Sequence, residues 1–201
     1  MRPGARVAVA LASVVLTAHT CGPPVSTSPL TPAAAAEADP RLVGLWRGTC
    51  GDPGKRIPCF LHVVPAVGAA VDLVLVGEER GANAIYARAF PSRLGDWRYL
   101  NLSPTKLVDH SSLDEVEGGF LFLRYQLRKD GALELWWMDD DAWSEAVRSG
   151  LVQGSTTDDL GKPHEHVTAD SAALAAFVSG PRKTSLFQPF ATLRRAPLPP
   201  R

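Results

Sequence analysis

Beyond its first twenty residues this chain has no apolar run long enough to cross a membrane as a helix. It has no net charge, with 21 basic and 21 acidic side chains. Residues 1–20 hold Arg2 and Arg6 and no acid, so the remainder carries 19 basic against 21 acidic groups. A balance that close gives no electrostatic reason to hold a polyanion, which excludes nucleic acid as an expected partner. Reactive signatures are missing too. There is no Gly-x-Ser-x-Gly elbow, no Gly-Lys-Ser/Thr after a glycine loop and no helical His-Glu-x-x-His. No internal repeat is visible, and residues 22–40 contain no aromatic side chain. No cofactor is expected from any of these patterns.

What is present begins at the N-terminus. Arg2 and Arg6 precede the uncharged run 7–16, which is too short for a stable span and reads as the apolar part of a signal peptide over 1–20. Residues 21–40, rich in Pro, Ser, Thr and Ala, cannot bury enough apolar surface to offset ordering entropy, so they read as a disordered tether. The composition from there on, within a chain that is 45% hydrophobic and 21% charged, suits one globular domain over 41–196, with a short tail at 197–201.

Three cysteines leave one over from any pair. Cys50 and Cys59 flank a run rich in turn formers, Gly51-Asp52-Pro53-Gly54, so a disulfide is expected in an oxidising compartment. Cys21 follows Leu16-Thr17-Ala18-His19-Thr20, which resembles the lipobox of bacterial lipoproteins. That resemblance implies a lipid on Cys21, anchorage to a membrane and, with Gly22 next, sorting to an outer membrane where the cell has one. Ala18 stands where the family usually has Leu and Thr20 where it has Gly, Ala or Ser, so a secreted or periplasmic product is the alternative.

The domain reads as strands first, near 42–49, 59–64, 70–76, 83–90 and 97–102, the last two stopped by Pro91 and Pro104. Leu121, Leu123, Tyr125 and Leu127 alternate towards one face, Lys129-Asp130-Gly131 turns the chain, and Leu133, Leu135 and Trp137 return on one face. Helices are expected after Asp139-Asp140-Asp141 and from near Thr168 or Asp170, and a last strand at 190–195. The fold class is mainly β with minor α: an antiparallel, lipocalin-like barrel or a strongly curved sheet, with two short helices.

Gly44-Leu45-Trp46 resembles the Gly-x-Trp of lipocalin-like (calycin) barrels. The resemblance implies an arginine of the last strand, Arg194 or Arg195, packed over Trp46 at the closed end of the barrel. Residues 99–195 also resemble uncharacterised bacterial envelope proteins, through Tyr99-Leu100-Asn101, the Asp130 to Trp136 turn and strand, Ser149-Gly150, Thr168-Ala169-Asp170, Leu186-Phe187 and Leu193-Arg194-Arg195. That match implies compartment and fold, and no chemistry.

Three clusters remain. His164 and His166 would share a face of an extended segment, with Asp158 or Asp159 as a third metal ligand; a polar loop or edge strand explains them without a metal. Asp139-Asp140-Asp141 suits a helix N-terminus. Trp136 and Trp137, adjacent on a strand, must face opposite sides, and with Tyr99 they form a candidate ligand surface. The leading expectation is a non-enzymatic exported lipoprotein that binds an apolar small ligand or another envelope protein. The alternatives are a metal-dependent hydrolase using His164 and His166, and a structural or assembly factor of the envelope.

Overall fold

The computed structural model describes residues 24–77, 84–108, 119–159 and 162–197. The expected signal segment, Cys21 and the last four residues lie outside them. Eight strands are joined in a closed antiparallel barrel: β2 (Gly44–Cys50), β3 (Ile57–Pro65), β4 (Val71–Gly77), β5 (Ala84–Leu94), β6 (Trp97–Val108), β7 (Leu121–Leu127), β8 (Leu133–Met138) and β11 (Phe187–Arg195). The last strand closes on the first, with Leu193 opposite Gly48 and Arg195 opposite Trp46. Outside the barrel a three-stranded sheet is ordered β1 (Val25–Ser26), β10 (Lys162–Val167), β9 (Gly154–Asp159). Two helices, α1 (Asp140–Arg148) and α2 (Ser171–Ser179), complete the described fold. None of its helices is long and apolar enough to span a membrane.

Cross-strand partners share a face, so the register defines the inside. Leu73 lies opposite Val63 and Ala87, Leu102 opposite Ala89 and Leu121, and Leu123 opposite Leu100 and Trp137. The hairpin read from alternation is there, with Gly131 at φ +81° on its turn. Two expected strand stops are not. β5 runs through Pro91 to Leu94, and β6 runs through Pro104, where a register shift near Tyr86/Ala87 takes up the irregularity. The bulge lets β6 pass Pro104, which cannot donate to the ladder, whereas the register runs through Pro91 without a shift.

A second apolar layer lies on the outer face of β6, β7, β8 and β11. Phe122 and Phe187 meet Trp143 of α1, with Phe177 of α2 edge-on to the Trp143 ring at 5.4 Å and Met138 buried in the same core. Both helices start as their acids dictate: Asp139 accepts from Ala142 N at 2.9 Å and Asp170 from Ala173 N at 2.8 Å.

The expected tether is the largest departure. From Pro24 on, it is a strap laid along the outer face of β6. Ser26 exchanges both main-chain hydrogen bonds with Phe120, Leu30 N donates to Asn101 Oδ1 at 2.7 Å, and Glu37 N donates to the Pro91 carbonyl at 3.1 Å. Leu30 is fully buried. Gly119 is required where the strap crosses, because a Cβ there would collide with Val25 Cγ1. Composition judged correctly that this segment has no core of its own; a few apolar anchors on a preformed barrel are enough to seat it.

Candidate functional site

The two ends of the barrel are built from different residues. At one end β2 begins and β11 finishes. Gly44 takes φ +140°, and a Cβ there would lie 2.6 Å from Arg195 Nη1. Only glycine fits both conditions. The Arg195 guanidinium lies 4.6 Å from the centroid of Trp46 and donates to the carbonyls of Val43 at 2.9 Å and Arg41 at 2.6 Å. Trp46 is 1% exposed and its indole N–H donates to Leu42 O at 2.8 Å. Of the two arginines named from sequence, Arg195 is over the ring. Arg194 points outward to Asp130 at 3.1 Å.

Asp39, 5% exposed, adds a polar lock to this closed end. It accepts from Arg41 Nε and Nη2 at 2.8 and 2.9 Å, Arg98 Nη1 at 3.4 Å and Tyr125 Oη at 3.2 Å. Burial pushes its pKa up, but the hydrogen bonds and charge of Arg41, with Arg98 behind, outweigh this and hold it below the usual value. Burial first, and Asp39 second, raise the Tyr125 phenol to about 12. A hollow of about 370 Å³ lies beside the lock, lined in part by Arg41, Trp97, Arg98 and Tyr125.

At the other end β2, β4, β6 and β8 finish, and among the described side chains the inner wall stays apolar to its rim. Ile57, Leu75, Ile85, Trp137 and Phe190 are only partly buried there. The Trp137 and Phe190 rings are 5.7 Å apart. Cys50 and Cys59 stand on adjacent strands just inside this rim. The expected disulfide is not formed in the structure. Both are buried thiols, and a hydrogen bond from Cys59, against the opposing effect of burial, lowers the pKa of Cys50. Asp140, beside the rim, has one carboxylate oxygen buried without a hydrogen-bond partner among the described residues. Burial, then the charges of Asp139, Asp52 and Asp141, raise its pKa to about 7.

The three residues of the candidate ligand surface are divided between faces. Trp137 lines the exposed end of the barrel. Trp136 and Tyr99 lie outside, around a residue that sequence reading missed. Arg124, 5% exposed, lies 4.2 Å from the Trp97 centroid and 4.3 Å from that of Trp136. Its Nε has no hydrogen-bond partner among the described residues, and burial lowers its pKa. Stacking on two indoles offsets part of the cost of burying this cation. Tyr99 is 1% exposed, its phenol raised to about 12 by burial, so it is a core residue of the outer layer and not a surface. A polar residue alternating with Leu123 and Tyr125 would ordinarily face water; only the tertiary cover makes Arg124 unusual.

His164 and His166 stand on β10, opposite Thr157 and Ser155 of β9. Between them Glu165 points the other way, is 7% exposed and accepts from Ser144 Oγ at 3.0 Å. Among the described residues no group of three His, Cys, Asp or Glu side chains is placed to hold a metal. The side chains of Asp158 and Asp159 fall outside the description. A shallow groove of about 710 Å³ crosses the outside of β2, β3 and β11 between Leu45, Phe60, Arg47 and Arg194. Searches against protein-family models, curated proteins and solved structures found no match to this chain.

Proposed function

We propose that this chain is an exported, lipid-anchored binding protein that holds an apolar small molecule at the exposed end of its barrel. The observation that carries this is the asymmetry of the inner wall. One end is sealed by Trp46, Arg195 and the Asp39 lock, while at the other Ile57, Leu75, Ile85, Trp137 and Phe190 keep apolar surface accessible. Apolar surface kept partly in water is unfavourable unless something covers it, at about 25 cal/mol per Å². A ligand of matching character is the simplest cover, and a concave apolar end with few polar groups suits such a ligand. The lipocalin-like reading belongs here: the Gly44/Trp46/Arg195 arrangement supports it.

In an oxidising compartment Cys50 and Cys59 would then join across β2 and β3. Closing a loop of about ten residues stabilises by roughly 2.5–3 kcal/mol in the chain-entropy model. Intact mass of protein recovered from the envelope should show the loss of two hydrogens; two alkylatable thiols after unfolding would count against export.

Titration of the full chain with a fluorescent fatty-acid probe tests the binding reading. Saturable binding is expected, and Leu75→Lys or Ile57→Lys should abolish it with the fold unchanged by circular dichroism. A folded protein that never saturates would favour the envelope-protein partner instead.

A further inference from the structure

The strap changes what an anchor at Cys21 would do. A flexible tether over residues 22–40 would let the domain wander, with a mean span of roughly 24 Å. In the structure the leash ends at Pro24, which is buried. From there the strap is held at close intervals. Ser26 N and Phe120 N donate to each other's carbonyls at 2.9 and 2.7 Å, Thr27 N donates to Val167 O at 2.9 Å, and Ser171 Oγ donates to Pro29 O at 2.7 Å. Three peptide steps separate Cys21 from Pro24, a reach of at most about 11 Å.

The direction of the strap is equally informative. Ser26 lies beside Phe120, which immediately precedes β7 on the side of the exposed end. The strap then passes Asn101 and Pro91 and reaches Arg98 and Tyr125 at the closed end. The chain therefore joins the domain beside the apolar rim, with Val25 paired to His166 of the small outer sheet.

We propose that a lipid at Cys21 holds the domain directly against a phospholipid bilayer, with the barrel's apolar rim and the β1–β10–β9 sheet turned towards the headgroups. This rests on the anchored reading above and deepens it, because the source of the apolar ligand becomes the membrane itself. Charge does not drive the contact. Lys55 and Arg56 are exposed on the β2–β3 turn, but Asp52 on the same turn and Asp140 and Asp141 beside the rim offset them. Attachment comes from the acyl chains, and orientation comes from the shortness of the leash.

The test uses the full chain, produced in a host that lipidates it and reconstituted in vesicles of phosphatidylethanolamine and phosphatidylglycerol containing nitroxide-labelled lipid. A fluorophore is placed at Lys55→Cys or Ser155→Cys near the proposed contact, and at Val67→Cys or Lys129→Cys at the closed end. The native thiols are buried and stay unlabelled. Quenching is expected at positions 55 and 155 and not at 67 and 129. Inserting about fifteen Gly/Ser residues between Pro23 and Pro24 should remove that contrast. Equal quenching at all four positions, or stronger quenching at 67, overturns the orientation while leaving the anchor standing. Failure of wild-type protein to incorporate palmitate, or labelling that persists in Cys21→Ser, overturns both.

Discussion

The two ends of the barrel use the same strands for opposite purposes. At the closed end the side chains are large, buried and multiply bonded: Trp46 is hydrogen-bonded and stacked under Arg195, and Asp39 collects four donors from three side chains. At the exposed end they are aliphatic or aromatic and half-covered, and Asp140 beside them has an Oδ1 without a partner among the described residues and three other acids around it. Stability is concentrated at one end and left out of the other. Local stability is commonly uneven within one domain.

Substitutions at the two ends should break the comparison in order of size. Trp46→Ala removes the largest buried side chain of the closed end and should cost about 3–5 kcal/mol in urea unfolding. Asp39→Asn removes the negative charge and turns one of the two acceptor oxygens into a donor, so Arg41, Arg98 and Tyr125 can no longer all be met; it should cost about 2 kcal/mol, since Arg41 is itself largely exposed. Asp140→Asn should act in the opposite direction. With its folded pKa raised to about 7, Asp140 keeps a proton that the unfolded chain releases near 3.8, so stability falls as pH rises between these values. The variant should therefore be more stable than wild type by about 1–2 kcal/mol at pH 8 and indistinguishable at pH 4 in paired thermal melts. Ile57→Ser at the rim should cost about 1–2 kcal/mol, because its side chain is only partly withdrawn from water. A rim substitution as costly as Trp46→Ala would mean that the two ends are equivalent.

Much of the barrel was legible from local pattern. Alternation exposed β7 and β8, and glycine with acids marked the helix ends, because those signals reside in neighbouring residues. Three features were not legible, each for the same reason. β9, Gly-Ser-Thr-Thr-Asp-Asp, carries no apolar alternation and exists through pairing with β10. The strap has no core of its own, and its hydrogen-bond partners, Phe120, Val167, Asn101, Pro91 and Ser171, all lie far along the chain. Arg124 looks like a solvated residue until Trp97 and Trp136 are brought to either side of it. Of the candidate site, the sequence separated Trp136 from Trp137 by face correctly in principle, but it could not say that Tyr99 is buried beside Phe187 and Arg124 or that Trp137 is the one at the rim.

The order of pairing also sets a timetable. Val25 and Ser26 meet His166 and Val167, and β2 meets β11, so residues synthesised early find their partners among those synthesised last. Contacts of such high sequence separation form slowly, after the cost of closing a long loop has been met. The ring of strands therefore stays incomplete until almost the whole polypeptide has been delivered, and its unclosed edges need shielding throughout that interval.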